Sequence, residues 1–168
     1  MQPDCKYETH KICVTHSGQT DTNLTDTHFL PVPLKEVVSA RLLAANVPWN
    51  DTANVVYLTV DELDSQFKDF AAPLGATGAS TLGNPTTSSI KRKAFCPLYS
   101  QFRGATGDKR IMYTDDYPTE TEYKYPIQKL EKLTVSVRDE NDAVITIGSG
   151  LRASFYFEFV CKRLNICY

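Results

Sequence analysis

Apolar and polar residues exchange at every second position over several stretches of this chain, and each stretch ends at turn-forming residues. In residues 34–48, Val38, Ala40, Leu42 and Ala44 alternate with Val37, Ser39, Arg41 and Leu43, and residues 46–51 (Asn-Val-Pro-Trp-Asn-Asp) then break the run, which predicts a strand and a turn. Residues 55–60 are β-branched or aromatic and predict a second strand with Val56, Leu58 and Val60 on one face. Leu63, Phe67 and Phe70 stand at helical spacing behind Asp61 and Glu62, so a short helix is expected there. Residues 71–90 are rich in Gly, Ala, Ser, Thr and Pro with no apolar period, the texture of a long surface loop. Residues 90–102 and 110–113 read as the two arms of a hairpin about the turn at residues 104–108. The C-terminal third is the clearest: residues 133–138 alternate strictly, 139–142 carry turn chemistry, 143–147 return, 148–150 turn again, and Phe155, Phe157 and Phe159 fill one face of a last strand.

Residues 1–33 carry many Thr, Asp and His and few core formers before Phe29-Leu30-Pro31-Val32-Pro33, so they are expected as a polar N-terminal arm in front of a folded domain at 34–168. Pro118 and Pro126 keep the acidic, tyrosine-bearing stretch 115–125 out of a central strand. About eight short strands without strand–helix alternation describe an all-β sandwich or barrel.

Composition adds to this picture mainly by exclusion. The chain of 168 residues is 42% hydrophobic and 23% charged, with nine Tyr and eight Phe, which suits one β-rich domain with its own core. A net charge of −2 gives no general attraction to nucleic acid, and Lys91-Arg92-Lys93 alone reads as a solvated cluster at a strand entry. The start of the chain lacks an apolar signal region, and no stretch approaches a membrane span, so neither export by that route nor membrane insertion is expected. Five cysteines, an odd number, favour reduced thiols; late oxidation among Cys5, Cys13, Cys161 and Cys167 would tie the termini together or link subunits.

One region carries a resemblance. Tyr125-Pro126-Ile127, then Leu130, then Leu133-Thr134-Val135-Ser136-Val137 with Asp139 in the turn, then Ser154-Phe155 opening an aromatic last strand, resembles the C-terminal end of single jelly-roll penton and minor capsid proteins of large double-stranded DNA viruses and virophages. The similarity spans residues 125–159, and the strand at 34–48 is compatible with those families' opening strand. Their turn carries Gly after the Asp, where this chain has Glu140-Asn141-Asp142. The resemblance implies a single jelly-roll sandwich, a homopentamer at each icosahedral vertex, and contacts with the major capsid protein and other minor capsid proteins. It also implies a place in the virion capsid after assembly in the host cytoplasm, with no direct nucleic-acid contact. The alternatives are another minor capsid component, or a jelly-roll binding module that recognises carbohydrate or a receptor through its loops, with Trp49 as a stacking residue.

No enzymatic activity and no cofactor are expected. All three histidines, His10, His16 and His28, lie in the N-terminal 33 residues, away from any nucleophile of the body. Asp61, Glu62 and Asp64, and Asp115 with Asp116, sit in acidic runs that read as solvated surface rather than a glycosidase pair. Cys5, His10, Cys13 and His16 have the residue types of a zinc site but not its usual spacing, so no metal is expected; Cys96 between Phe95 and Pro97 reads as a small core residue. The interface candidates are Tyr113, Tyr117, Tyr123 and Tyr125, with Trp49, because these side chains combine large contact area with a polar tip.

Overall fold

The structure is a computed structural model and describes residues 6–17, 22–49, 55–63, 69–73, 89–99, 109–113, 119–139, 143–147 and 150–163. Its strands are β1 (Lys6–Ser17), β2 (Thr22–Asn23), β3 (Thr25–Trp49), β4 (Val55–Val60), β5 (Asp69–Pro73), β6 (Ser89–Lys93), β7 (Cys96–Tyr99), β8 (Lys109–Tyr113), β9 (Thr119–Arg138), β10 (Thr146–Ile147) and β11 (Arg152–Arg163). All pairings are antiparallel, so the chain is all-β, as its periodicity predicts. The main sheet runs β1-β11-β3-β9-β4-β7, with β8 also on β3; β2 pairs with β10 and β5 with β6.

Two strands are far longer than the rest, and they organise the fold. The second half of β3 pairs with β11 through Val37 to Asn46 and with the start of β9 through Ser39 to Leu42; its first half pairs with the remainder of β9. One layer therefore contains β1, β11, the second half of β3 and the start of β9. The other contains the first half of β3, the rest of β9, β4 and β7. Phe95, just ahead of β7, lies 5.9 Å from Phe157 of β11, ring centroid to ring centroid. Four strand spacings separate β11 from β7 in the sheet order, on the order of 19 Å if the sheet were flat. The contact requires the sheet to fold back on itself as a sandwich.

The core follows from the alternation in β11, where Ala153, Phe155, Phe157, Phe159 and Cys161 are buried against Leu42, Val56, Leu58, Leu98 and Val137. Burying the three phenylalanines contributes on the order of 5–9 kcal/mol of transfer free energy before chain entropy is subtracted. In the second half of β3 the buried hydrophobic positions are Val37, Ala40, Leu42, Ala45 and Val47. Each step of three marks a β-bulge, at Val38 and at Leu43, where β3 has one residue more than β11. The inward face is thus not the Val38, Ala40, Leu42, Ala44 row that uninterrupted alternation predicts.

Four further expectations change. The N-terminal stretch does not stand apart as an arm: β1 pairs along its full length with β11, Val14 is buried, and residues 25–33 open β3. An edge strand needs only one apolar row, and β11 supplies the rest of the contact. The helix expected behind Asp61 is a single 3-10 turn, Asp61–Leu63, and Asp69–Pro73 is strand. The segments read as one hairpin part company, β7 pairing with β4 and β8 with β3. Of the expected loop at 71–90, both flanks pair as β5 and β6, and residues 74–88 lie outside the described residues. Among the described residues no helix is long and apolar enough to cross a membrane.

Candidate functional site

Both layers are open on the side where β1 and the first half of β3 lie. β1 pairs only with β11, and residues 25–35 of β3 pair only with β9, so among the described residues each presents an unpaired backbone edge. Between them is a groove of about 400 Å³, walled by Glu8, His10, Lys11 and Ile12 of β1 and by residues 30–35 of β3.

The local sequence explains the shape. Pro31 and Pro33 have no N–H to give to a ladder. The register jumps from Phe29 opposite Lys132 to Leu34 opposite Leu130, so four residues of β3 face one of β9 and bow outward. Leu30 and Leu34 stay in the core, whereas Val32 is 72% and Phe29 is 77% exposed. Just beyond, Glu36 takes a left-handed backbone conformation (φ 53°) where β3 passes towards its second layer. In β9 the matching irregularity covers residues 123–126, which contain Pro126.

Charged groups frame the groove. His10 Nε2 is 3.2 Å from Glu8 Oε1. At the far end of β1, His16 Nδ1 and His28 Nε2 lie 3.3 and 3.7 Å from the same Asp26 oxygen, which ties β1 to the first half of β3. On the outer face, the register sets Lys11, Glu158, Arg41 and Glu120 side by side on β1, β11, β3 and β9, an alternating row of charge. Glu158 reaches Lys11 at 3.7 Å and Arg41 at 3.4 Å. Lys35 stands opposite Lys129, and Lys129 is ion-paired to Glu131. Burial, with the Glu8 carboxylate as a lesser cause, pushes the Cys161 thiol up to about 11, so this sulfur stays protonated near neutral pH.

The arrangement suits binding better than chemistry. Each histidine faces a carboxylate, and the thiol next to the groove is held in its unreactive form. Cys13 is exposed on the opposite face of β1 from His10 and His16, so these three of the zinc-type residues are not brought together; Cys5 lies outside the described residues. No group of three or more potential metal ligands occurs among the described residues. Open strand edges over an apolar floor are what an added extended chain requires.

Of the expected interface residues, Tyr125 is 78% exposed, with the Lys124 ammonium 5.6 Å from its ring centre. Tyr123 is instead half-buried against the core, and its hydroxyl donates to the Leu63 carbonyl at 3.3 Å. Tyr113 pairs with Ala45 and Trp49 with Lys109 through the backbone; their side chains, and Tyr117 altogether, lie outside the described residues. Tyr7, Phe29 and Val32 are exposed residues that the sequence reading did not single out. The available signal was Phe29-Leu30-Pro31-Val32-Pro33, too many apolar residues for one buried row in a segment broken twice by proline. A scan against models of known protein families and a search of curated proteins give no match to this chain.

Proposed function

We propose that this protein is a structural subunit rather than an enzyme: a single jelly-roll capsid component of the penton type, assembling through the edges of its sandwich. The pairing order carries the reading. Leaving aside β8, which pairs with the end of β3 beside the start of β9, the eight pieces in chain order are β1, the two halves of β3, β4, β7, the two parts of β9, and β11. The first, eighth, third and sixth form one layer, and the second, seventh, fourth and fifth form the other. That interleaving supports the jelly-roll reading, since winding a long hairpin around a sandwich as a double Greek key would produce it. Many jelly rolls are capsid subunits and others are lectins or enzymes, so the fold alone does not choose among them.

Three observations favour assembly. The sequence from Tyr125 to Phe159 resembles the end of penton and minor capsid proteins. The most exposed large apolar side chains, Phe29, Val32 and Tyr125, lie on the two long strands where these bow out. The histidines are engaged with carboxylates rather than with a nucleophile. On this reading the partners are further copies of the chain, the surrounding major capsid protein and other minor capsid proteins, within a virion. The test is native mass spectrometry of the recombinant protein over a range of concentrations, with a pentamer expected. A monomer at every concentration would remove self-assembly as an intrinsic property. Deleting residues 1–33 is not a suitable control, because it removes β1 and part of β3 from the fold.

A further inference from the structure

We infer that the open side formed by β1 and residues 25–35 of β3 is the socket of a head-to-tail contact between copies. Its occupant is the acidic edge of the next copy's β9, residues 119–125, with Tyr125 entering the groove. This rests on the assembly reading above and names the two faces that meet.

The first argument is geometric. β1 and the start of β9 are the two ends of one layer in the order β1-β11-β3-β9. The start of β9 pairs only with β3 among the described residues, so its far edge is open as well. A copy that gives its β9 edge to a neighbour's β1 keeps its own β1 for the next, which is the heterologous contact from which rings are built. The two edges would add as strands, extending one layer of each copy into the next.

The second argument is chemical. Val32 rims the socket at 72% exposure, and Ile12, Leu30 and Leu34 supply its apolar floor. Tyr125, at 78%, is the large apolar residue that projects beside the acidic edge. The socket carries Lys35 on β3, with Lys11 and Glu8 on β1; Lys11 is shared with Glu158 and Lys129, opposite Lys35, is paired to Glu131, which leaves Lys35 as the cation for an arriving carboxylate. The arriving edge carries Glu120 and Glu122, both exposed, and one cation, Lys124, which lies against the Tyr125 ring. Charges of opposite sign on the two faces fix which edge docks where and speed the encounter.

Charge reversal tests the pairing by sedimentation equilibrium of the full chain. Lys35→Glu and Glu122→Lys should each weaken self-association at least about tenfold, and the double variant should recover most of that loss. Tyr125→Ala should weaken it as well. The altered side chains are all exposed, so the thermal midpoints should stay at the wild-type value, which separates a lost contact from a lost fold. If the wild type assembles and neither charge reversal changes its association, the contact is overturned while the assembly reading stands. If the wild type never assembles, both fall.

Discussion

Replacing Phe95 and Phe157 by leucine, singly and together, measures directly whether the two layers meet where the structure joins them. The rings sit at 5.9 Å and 71°, an edge-to-face arrangement, and both residues are at most 4% exposed. Leucine keeps most of the volume, so each single change should cost about 1–1.5 kcal/mol. For a chain of this length that lowers the melting midpoint by roughly 2–6 °C. The aromatic pair itself should appear as a coupling of about 0.5–1.5 kcal/mol, because the second substitution finds no ring left to lose. Urea unfolding of the four proteins in the cycle, followed by far-UV circular dichroism and intrinsic fluorescence, supplies the numbers. Additivity within about 0.3 kcal/mol would mean that the two rings do not touch, and the folded-over sheet would have to be abandoned. Tyr156→Leu, next in sequence but on the outer face, serves as a reference and should change stability by about 0.5 kcal/mol or less.

Glu62 accepts the backbone N–H of Thr134 at 2.6 Å and its hydroxyl at 2.8 Å, so Glu62→Ala should lower the unfolding free energy by about 2–4 kcal/mol, with Glu62→Gln intermediate, as read from urea midpoints. A loss below about 0.5 kcal/mol would show that the 3-10 turn is not pinned to β9 by this carboxylate. For Cys161 the thiol ionises from 9.0 in the unfolded chain to about 11 in the folded one. The unfolded state therefore loses its proton first, and the stability associated with this group is full below pH 9 and declines as pH rises towards 11. Cys161→Ala should flatten that decline, and iodoacetamide near neutral pH should label the exposed Cys13 while leaving Cys161 intact, as mass mapping can verify. Glu36→Gly should be neutral or stabilising by up to about 1 kcal/mol, whereas Glu36→Val should cost more than 1 kcal/mol, because the left-handed conformation at φ 53° suits only the first.

The parts of the fold that were legible in the sequence are those where one strand keeps one phase. Val55–Val60 forms the expected strand with the expected face, and the phenylalanines of β11 line the core as their spacing requires. Alternation fails in β3 because bulges at Val38 and Leu43 shift the phase twice, and nothing local marks a bulge at a valine or a leucine. β1 was hidden for a different reason: counting apolar residues asks whether a segment folds alone, whereas Ile12 and Val14 need only complete a row begun by β11. Strand partners across the sandwich are likewise not local properties, which is why β7 and β8 looked like a hairpin. At the candidate site, Tyr125 could be chosen from its chemistry. Phe29 and Val32 could not be chosen from residue type, since apolar side chains also fill a closed core; only the two prolines beside them mark the segment as unable to bury both.

The place of β11 in the main sheet has a consequence for synthesis. It lies between β1 and β3, yet it is the last of the three to leave the ribosome, and the register joins Val14 to Phe155 across most of the chain. Until that strand arrives, β1 has no partner among the described residues, and the second half of β3 lacks its neighbour on that side. Pairings between such distant segments form slowly, and unpaired edges invite contact with other nascent chains. Ribosome-bound intermediates lacking residues 152–163 should therefore be held apart by a chaperone or be degraded, and emergence of β11 becomes the step that commits this sheet to its fold.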